Sequence, residues 1–333
     1  MNTINTVKTP EEQLVGYRNA IEHALGVYND EQPEGNLYAP IRYLMSIGGK
    51  RLRPSMVLAA ADAFGGTVEK ALPAALAVEV FHNFTLMHDD IMDNAPLRRG
   101  QQTVHEKWDA NTAILSGDAM FVQAYQQLSK MDAALIPPML ELFNKTAIEV
   151  CEGQQHDMDF EQRSDVTIAE YLEMIRLKTS VLLAAAMQMG AMSAGANEED
   201  QRRVYDMGIH IGLAFQLQDD YLDAFGDPEK FGKQVGGDIL ADKKTFLYIR
   251  CLEKANSEQR KALDAWVGKT DDPAGKVDAV RALFLETGVD QDLRAEMERH
   301  YAAAIADLEA LEISDAGEAV IRYVAQMVKQ RTV

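Results

Sequence analysis

Cysteine is nearly absent from this chain of 333 residues: only Cys151 and Cys251 occur, without CxxC spacing. That excludes a disulfide framework and fits a reducing compartment. No uninterrupted apolar run reaches the ~18 residues a membrane span needs. The opening stretch MNTINTVKTPEEQ lacks the charged-then-apolar layout of a signal peptide. A cytoplasmic protein with no membrane span is expected. Basic charge is also short: 33 Lys and Arg against 52 Asp and Glu leave a formal net charge of −19. No basic stripe offsets it, which argues against a nucleic-acid partner. Missing too are HExxH and Cys/His zinc patterns, a GxSxG element and a GxxxxGK[ST] loop, so zinc hydrolysis, serine chemistry and a nucleotide P-loop have no support.

Linkers of the Gly/Ser- or Pro-rich kind are lacking as well, and residues 1–333 read as one domain. Ala, Leu, Met, Glu and Gln at helical periodicity dominate, and strand-like alternation is scarce, so the fold class is all-α, a single large helical bundle. Thr9, Pro10, Glu11 and Glu12 read as a helix start. Further helices are expected near 37–47, 53–64, 68–93, 109–130, 134–153, 167–176, 178–195, 197–224, 238–254, 256–266, 275–286, 290–310 and 314–330. Breaks are expected at 48–49, 65–66, 96–100, 137–138, 226–237 and 271–273. The Ala-, Met- and Gly-rich stretch 179–196 is either ordinary core or one wall of an apolar pocket.

Against this background two clusters of one form stand out, DDIMD (Asp89, Asp90, Asp93) and DDYLD (Asp219, Asp220, Asp223), each inside an apolar helical stretch. Positions i, i+1 and i+4 fall within an arc of about 100°, so three carboxylates share one helix face. Ionised carboxylates in apolar surroundings are costly unless paired or metal-bound. Two such triads facing each other would bind several hard cations, and Mg²⁺ completes its octahedron with waters and substrate phosphates. A metal-dependent diphosphate site is therefore expected. An acidic surface repels a diphosphate, although salt screens that field within about 8–10 Å, so local cations are needed.

Cations do cluster near both triads. Arg98 and Arg99 follow the first in NAPLRRG, and GGKRLRP supplies Lys50, Arg51 and Arg53 behind Gly48 and Gly49. Arg donates in bidentate fashion to phosphate oxygens. Lys178 beside Thr179, Lys233, Lys243 and Lys244 lie around the second triad. Each one taken singly reads as a solvated charge; their joint placement is what points to a site. His82, two turns before Asp89, could hydrogen-bond a phosphate, and Gln154 and Asp157 in EGQQHDMD could support metal-bound water.

In order, GGKRLRP, HNFTLMHDDIMDNAPLRRG, GQQHD, LKTS and FQLQDDYLDAFGDPEKFGKQVGGDI resemble the motif series of the trans-isoprenyl diphosphate synthases, the polyprenyl synthetase family, over residues about 48 to 245. The resemblance implies condensation of isopentenyl diphosphate with an allylic diphosphate (dimethylallyl, geranyl or farnesyl), releasing diphosphate. It implies that Asp89, Asp90, Asp93, Asp219 and Asp220 face three Mg²⁺ ions, with Asp223 holding metal-bound water. Arg98, Lys178, Lys233 and Lys243 then surround the allylic diphosphate, and Thr179 and Gln216 lie beside the reacting carbons. Gly49, Lys50, Arg53, His82 and Arg99 correspond to the isopentenyl diphosphate site, and a homodimer is expected. The QVGG segment before Asp238 is one residue longer than in some relatives, which bears on the placement of Lys243.

Class I terpene cyclases share this fold and one DDxxD motif but generally carry a different second metal motif. A non-catalytic partner subunit would be expected to have lost acids or cations that are intact here. The resemblance also implies a bundle around a central apolar cavity whose floor, which sets product length, lies before the first triad: Phe84 five before Asp89, Thr85 four before and Phe81 eight before. A helix rises 1.5 Å per residue, placing Phe84 roughly 7–8 Å and Phe81 roughly 12 Å behind Asp89. Rings there, with no insertion in DDIMD, resemble the short-chain synthases that make C20, with C15 the alternative. Both rings are otherwise plain core.

Overall fold

Thr9 opens the first helix. Its hydroxyl accepts from the Glu12 N–H, and the Glu12 carboxylate accepts from the Thr9 N–H at 2.8 Å, the reciprocal capping box that satisfies two otherwise orphaned donors. Pro10 sits at the first helical position, where its missing N–H costs nothing. The structure, a computed structural model, describes residues 8–227 and 235–330. The described helices are α1 (Pro10–Asp30), α2 (Ala39–Ser46), α3 (Leu52–Ala63), α4 (Val68–Met92), α5 (Val104–Lys107), α6 (Ala110–Leu128), α7 (Ile136–Glu161), α8 (Ile168–Ile175), α9 (Val181–Ser193) and α10 (Glu198–Phe225). Then come α11 (Gly237–Leu240), α12 (Phe246–Lys254), α13 (Ser257–Asp264), α14 (Pro273–Thr287), α15 (Val289–Glu309) and α16 (Asp315–Gln330). The all-α expectation holds. Among the described residues the sole sheet is a two-stranded hairpin, β1 (Leu97–Arg98) and β2 (Gln101–Gln102), and no helix is long and apolar enough to cross a membrane.

Packing divides the chain into two compact units. The first comprises Met1–Asn144, Ala185–Val204 and Leu311–Ile321. Its core is built on small residues: Ala59, Ala60 and Ala61 of α3 and Ala71, Ala74, Ala75 and Ala77 of α4 are fully buried, letting helix axes approach. An aromatic group of Phe81, Phe84, Phe121, Tyr125 and Phe143 fills the wider spaces. The second unit comprises Lys145–Ala184, Tyr205–Ala310 and Arg322–Val333. There Tyr171, Met174, Leu217, Phe246, Leu247, Phe284 and Leu293 form a continuous core.

The boundaries depart from expectation in four places, each with a local cause. Helix α7 continues past 153 to Glu161: the polar run from Gln154 interrupts apolar periodicity, but Gln155 bonds Asp159 one turn on at 2.7 Å and Phe160 is buried. Pro137 and Pro138 do not break it, because they lie in its first turn. The expected helix 238–254 is two, α11 and α12, parted at Asp242 with φ +54°. The loop after the first triad is the hairpin, whose turn residues Arg99 and Gly100 both have positive φ (53° and 76°), as a tight two-residue hairpin turn requires. The break expected at 226–237 lies partly outside the described residues.

Candidate active site

In the first unit Asp89 and Asp90 occupy the last turn of α4, with Asp93 as its C-cap. That end of a helix carries partial negative charge, so three acids there call for cations. Asp90, 2% exposed, receives two parallel bonds from Arg98: Nε to Oδ2 at 2.8 Å and Nη2 to Oδ1 at 2.7 Å. Strand β1 places Arg98 there, and the turn carries Arg99 away to donate to the Gly48 carbonyl. A Cβ on Gly49 would stand 2.8 Å from Nη1 of Arg99, at a backbone φ of +158°.

Behind that loop His82 Nε2 lies 3.3 Å from Arg53 Nη1. Arginine can only donate, so Nε2 accepts and Nδ1 carries the proton. Burial, followed by the charges of Arg53, Arg99, Arg98 and Arg51, holds this imidazole well below the usual histidine range. Arg53 and Arg99 are also drawn down, chiefly by burial, with other guanidiniums opposing their charge. Several crowded cations around a neutral histidine form a setting that an anion stabilises. Lys50 is exposed beside them. Arg51, by contrast, is committed to the interior: it pairs with Glu22 at 2.9 Å and Glu79 at 2.6 Å and donates to the Met45 carbonyl. Asn83 donates to the same Glu79 carboxylate at 3.0 Å.

Phe81 is fully buried, with ring centroids 5.1 Å from Phe143 and 5.5 Å from Phe84. Phe84 is half-buried and stacks on Phe121 at 5.1 Å. Thr85 turns its hydroxyl back to the His82 carbonyl at 2.8 Å.

In the second unit a cleft of roughly 650 Å³, counted out to its open mouth, gathers Asp157, Lys178, Thr179, Gln216, Asp220 and Lys243. Lys178 and Thr179 lie in a π-helical turn, Arg176–Ser180, between α8 and α9, a helical irregularity often found at functional sites. The turn fits closely over α7 because of Gly153, where a Cβ would come 2.3 Å from the Lys178 nitrogen. Lys178 Nζ pairs with Asp157 at 2.6 Å, Thr179 Oγ1 bonds Gln216 Oε1 at 3.4 Å, and Gln216 Nε2 donates to Asp220 Oδ1 at 3.4 Å. Asp220 is 4% exposed and also accepts from the Tyr171 hydroxyl. Burial, then Asp238 and Asp219, hold its carboxyl well above the usual carboxylate range, against the pull of its two hydrogen bonds. Asp223 Oδ1 accepts from the Asp238 N–H at 3.0 Å. Gln154 is buried on α7. Lys233 lies outside the described residues.

Tyr171 and Asp238, both polar side chains of this cleft, were not singled out in the sequence. Tyr171 stands eight residues before Thr179 within an ordinary apolar pattern, so only the fold reveals that its hydroxyl meets Asp220. Asp238 had a weak signal, an acid just after GG.

Among the described residues no three His, Cys, Asp or Glu side chains converge closely enough to hold a metal ion. Mg²⁺ does not require such a cage: it binds through one or two carboxylates, keeps waters and takes the rest of its shell from substrate phosphates. The donors fit that habit. They are all hard oxygens, they lie at the negative ends of two helices, and Asp220 stands among like charges.

A family model described as Polyprenyl synthetase matches residues 34–284, a span that runs through both units. The geranylgeranyl diphosphate synthase of Methanosarcina mazei is 45% identical over 237 residues, covering 71% of this chain and 72% of that protein. The short chain isoprenyl diphosphate synthase of Methanothermobacter thermautotrophicus is 39% identical over 304 residues, 91% of this chain and 92% of that one. A crystal structure of a geranylgeranyl pyrophosphate synthase superposes with a TM-score of 0.91 at 44% identity, covering 99% of this chain and all of that one.

Proposed function

Because this chain belongs to the polyprenyl synthetase family, we propose that it condenses isopentenyl diphosphate with dimethylallyl, geranyl and farnesyl diphosphates to make geranylgeranyl diphosphate, C20. The observation that supports this most directly is the sorting of charge: each acid cluster has its own cations and its own polar neighbours. In one unit Arg53, Arg99 and neutral His82 offer donors to a diphosphate that is retained in the product. In the other, Lys178 and Lys243 offer donors to a diphosphate that departs.

Asp89, Asp90, Asp93, Asp219, Asp220 and Asp223 would hold Mg²⁺, three ions per active site. When bound, the metal supplies Lewis-acid stabilisation of the charge on a departing diphosphate. Lys178 and Lys243 add to that stabilisation by aiming ammonium groups at the same developing charge. Thr179 and Gln216 line the cleft beside Asp220 and orient the reacting end of the allylic chain. Phe160, Met174 and Ile175, which line the same cleft, offer apolar surface that keeps water from a carbocation. The double bond of isopentenyl diphosphate then forms the new carbon–carbon bond, and the proton lost leaves on the released diphosphate. No side chain acts as nucleophile.

One catalytic domain over residues 1–333 is part of this reading. It also includes a homodimer, supported by exposed apolar residues on one face of α6: Ile114 at 41%, Leu115 at 60% and Val122 at 58%. Incubating the purified chain with Mg²⁺, labelled isopentenyl diphosphate and each allylic primer, then sizing the dephosphorylated alcohols, tests the proposal. C20 alcohol that disappears in chelator is expected. Accumulation at C15 from every primer would give the farnesyl alternative, and no condensation at all would overturn the reading. A monomeric mass by light scattering would remove the dimer.

A further inference from the structure

Lys276 of α14 is 1% exposed, a rare setting for an ammonium group. All three of its donors are used: Nζ lies 2.7 Å from Asp242 Oδ1, 3.3 Å from the Leu240 carbonyl and 3.5 Å from the Lys269 carbonyl. The second oxygen of Asp242 accepts from the Gly268 N–H at 2.9 Å. A single ion pair, buried on its lysine side and partly exposed at Asp242, therefore ties the turn between α11 and α12 to the segment after α13.

That turn carries two of the cleft's cations, Lys243 and Lys244. Asp242 holds φ +54°, a left-handed conformation for which a side chain needs support. Its carbonyl accepts from Lys244 Nζ at 3.0 Å. The next residue, Lys243, donates its N–H to the Asp238 carbonyl at 3.0 Å and sets Nζ 3.8 Å from the Asp238 carboxylate. Lys243, Lys244 and Asp238 all line the cleft with Thr179, Gln216 and Asp220. Tyr248, Leu263 and Trp266 stand around the pair. An apolar side chain would suit that lining, and a buried ion pair is commonly no more stabilising than a hydrophobic replacement. Stability alone does not account for the lysine.

We propose that Lys276 is a positioning residue: through Asp242 it fixes the turn that presents Lys243 and Lys244 to a diphosphate in the cleft. The inference rests on the function proposed above for that cleft. The test is a double-mutant cycle on the full chain, reading the affinity for inorganic diphosphate with Mg²⁺ by calorimetry and steady-state kinetics for both substrates. Lys276→Met should lower kcat/KM for the allylic diphosphate by roughly 100-fold, the scale of a small displacement of catalytic groups, and leave the KM for isopentenyl diphosphate unchanged. In a background with both Lys243→Ala and Lys244→Ala the same substitution should have little further effect. Lys276→Met with Asp242→Asn leaves no unpaired charge; it should recover the thermal midpoint but not the allylic defect. Additive losses in the cycle, or a double variant that regains activity together with stability, would overturn the inference. A wild type that binds diphosphate without condensing prenyl substrates would instead remove the functional reading, and the calorimetric cycle would still decide the clamp.

Discussion

The two acid helices carry one motif in opposite electrostatic settings. On α4, Asp90 is neutralised by a bidentate guanidinium from the hairpin that follows. On α10, Asp220 is held by a phenol and an amide, both uncharged, with Asp238 and Asp219 pushing its carboxyl up. The residues behind each cluster differ in the same spirit. Seven before the first aspartate stand His82 and Gly212; five before stand Phe84 and Ala214. On α4 those positions supply an imidazole for an anion and a ring against Phe121. On α10 they are small, and a Cβ on Gly212 would come 2.6 Å from Ser180, so the helix lies tight against the π turn that bears Lys178. One motif, given different neighbours, becomes a paired acid in one unit and an acid short of countercharge in the other.

The largest expected effect is common to both clusters. Asp89→Ala and Asp219→Ala should each lower kcat about 100- to 1000-fold, the scale of losing one group that stabilises transition-state charge, with an unchanged far-UV circular dichroism spectrum. Near-normal turnover in either folded variant would confine the chemistry to the other cluster. Next, Phe84→Ala should cost roughly 3 kcal/mol by denaturant unfolding, the low end for a phenylalanine because its ring is only half-buried. With farnesyl diphosphate as primer it should release alcohols longer than C20; an unchanged distribution from stable protein would make the ring plain core.

Smaller effects separate the acids themselves. Arg98→Met should destabilise by about 2–3 kcal/mol, since it strands a buried carboxylate while the arginine is itself partly exposed. Tyr171→Phe should cost only about 1–2 kcal/mol, because it removes a neutral hydrogen bond. Equal losses would erase the contrast between the clusters. The smallest effect vanishes at neutral pH. His300 in the second unit is lowered to about 4 by burial first and then by Arg299, and His82 in the first is lowered too. The unfolded chain takes up protons near pH 6.5 while both folded imidazoles stay neutral, so stability is full above that value and lost as pH falls from about 6.5 toward about 4. Thermal midpoints across that interval should slope less steeply in His300→Gln and in His82→Gln than in the wild type.

Much of this was legible in the residues. Helix starts at Thr9 and the break at Gly48-Gly49 follow from local chemistry, since capping and positive φ are satisfied within a few residues. So was the placement of the DDIMD and DDYLD carboxylates at the ends of two helices, because i, i+1, i+4 spacing fixes one face whatever surrounds it. Less visible was the tail of α7, whose polar residues hide a helix held by a side-chain pair and by Phe160. Invisible were Tyr171, Lys276 and the aromatic partner Phe121, which carry no motif and reach their neighbours 49, 34 and 37 residues away.

The sequence by itself determined the all-α character, the positions of both acid faces and the identity of the cations near them, because periodicity, caps and residue chemistry are properties of short segments. Tertiary structure alone decided which cation answers which acid. Arg51 and Arg53 are two residues apart in GGKRLRP, yet one is consumed by Glu22 and Glu79 and the other stands beside His82. Asp90 and Asp220 hold the same place in their motifs, yet one meets a guanidinium and the other a phenol. Burial and distance set the strength of a charge interaction, and both are fixed only when remote helices pack.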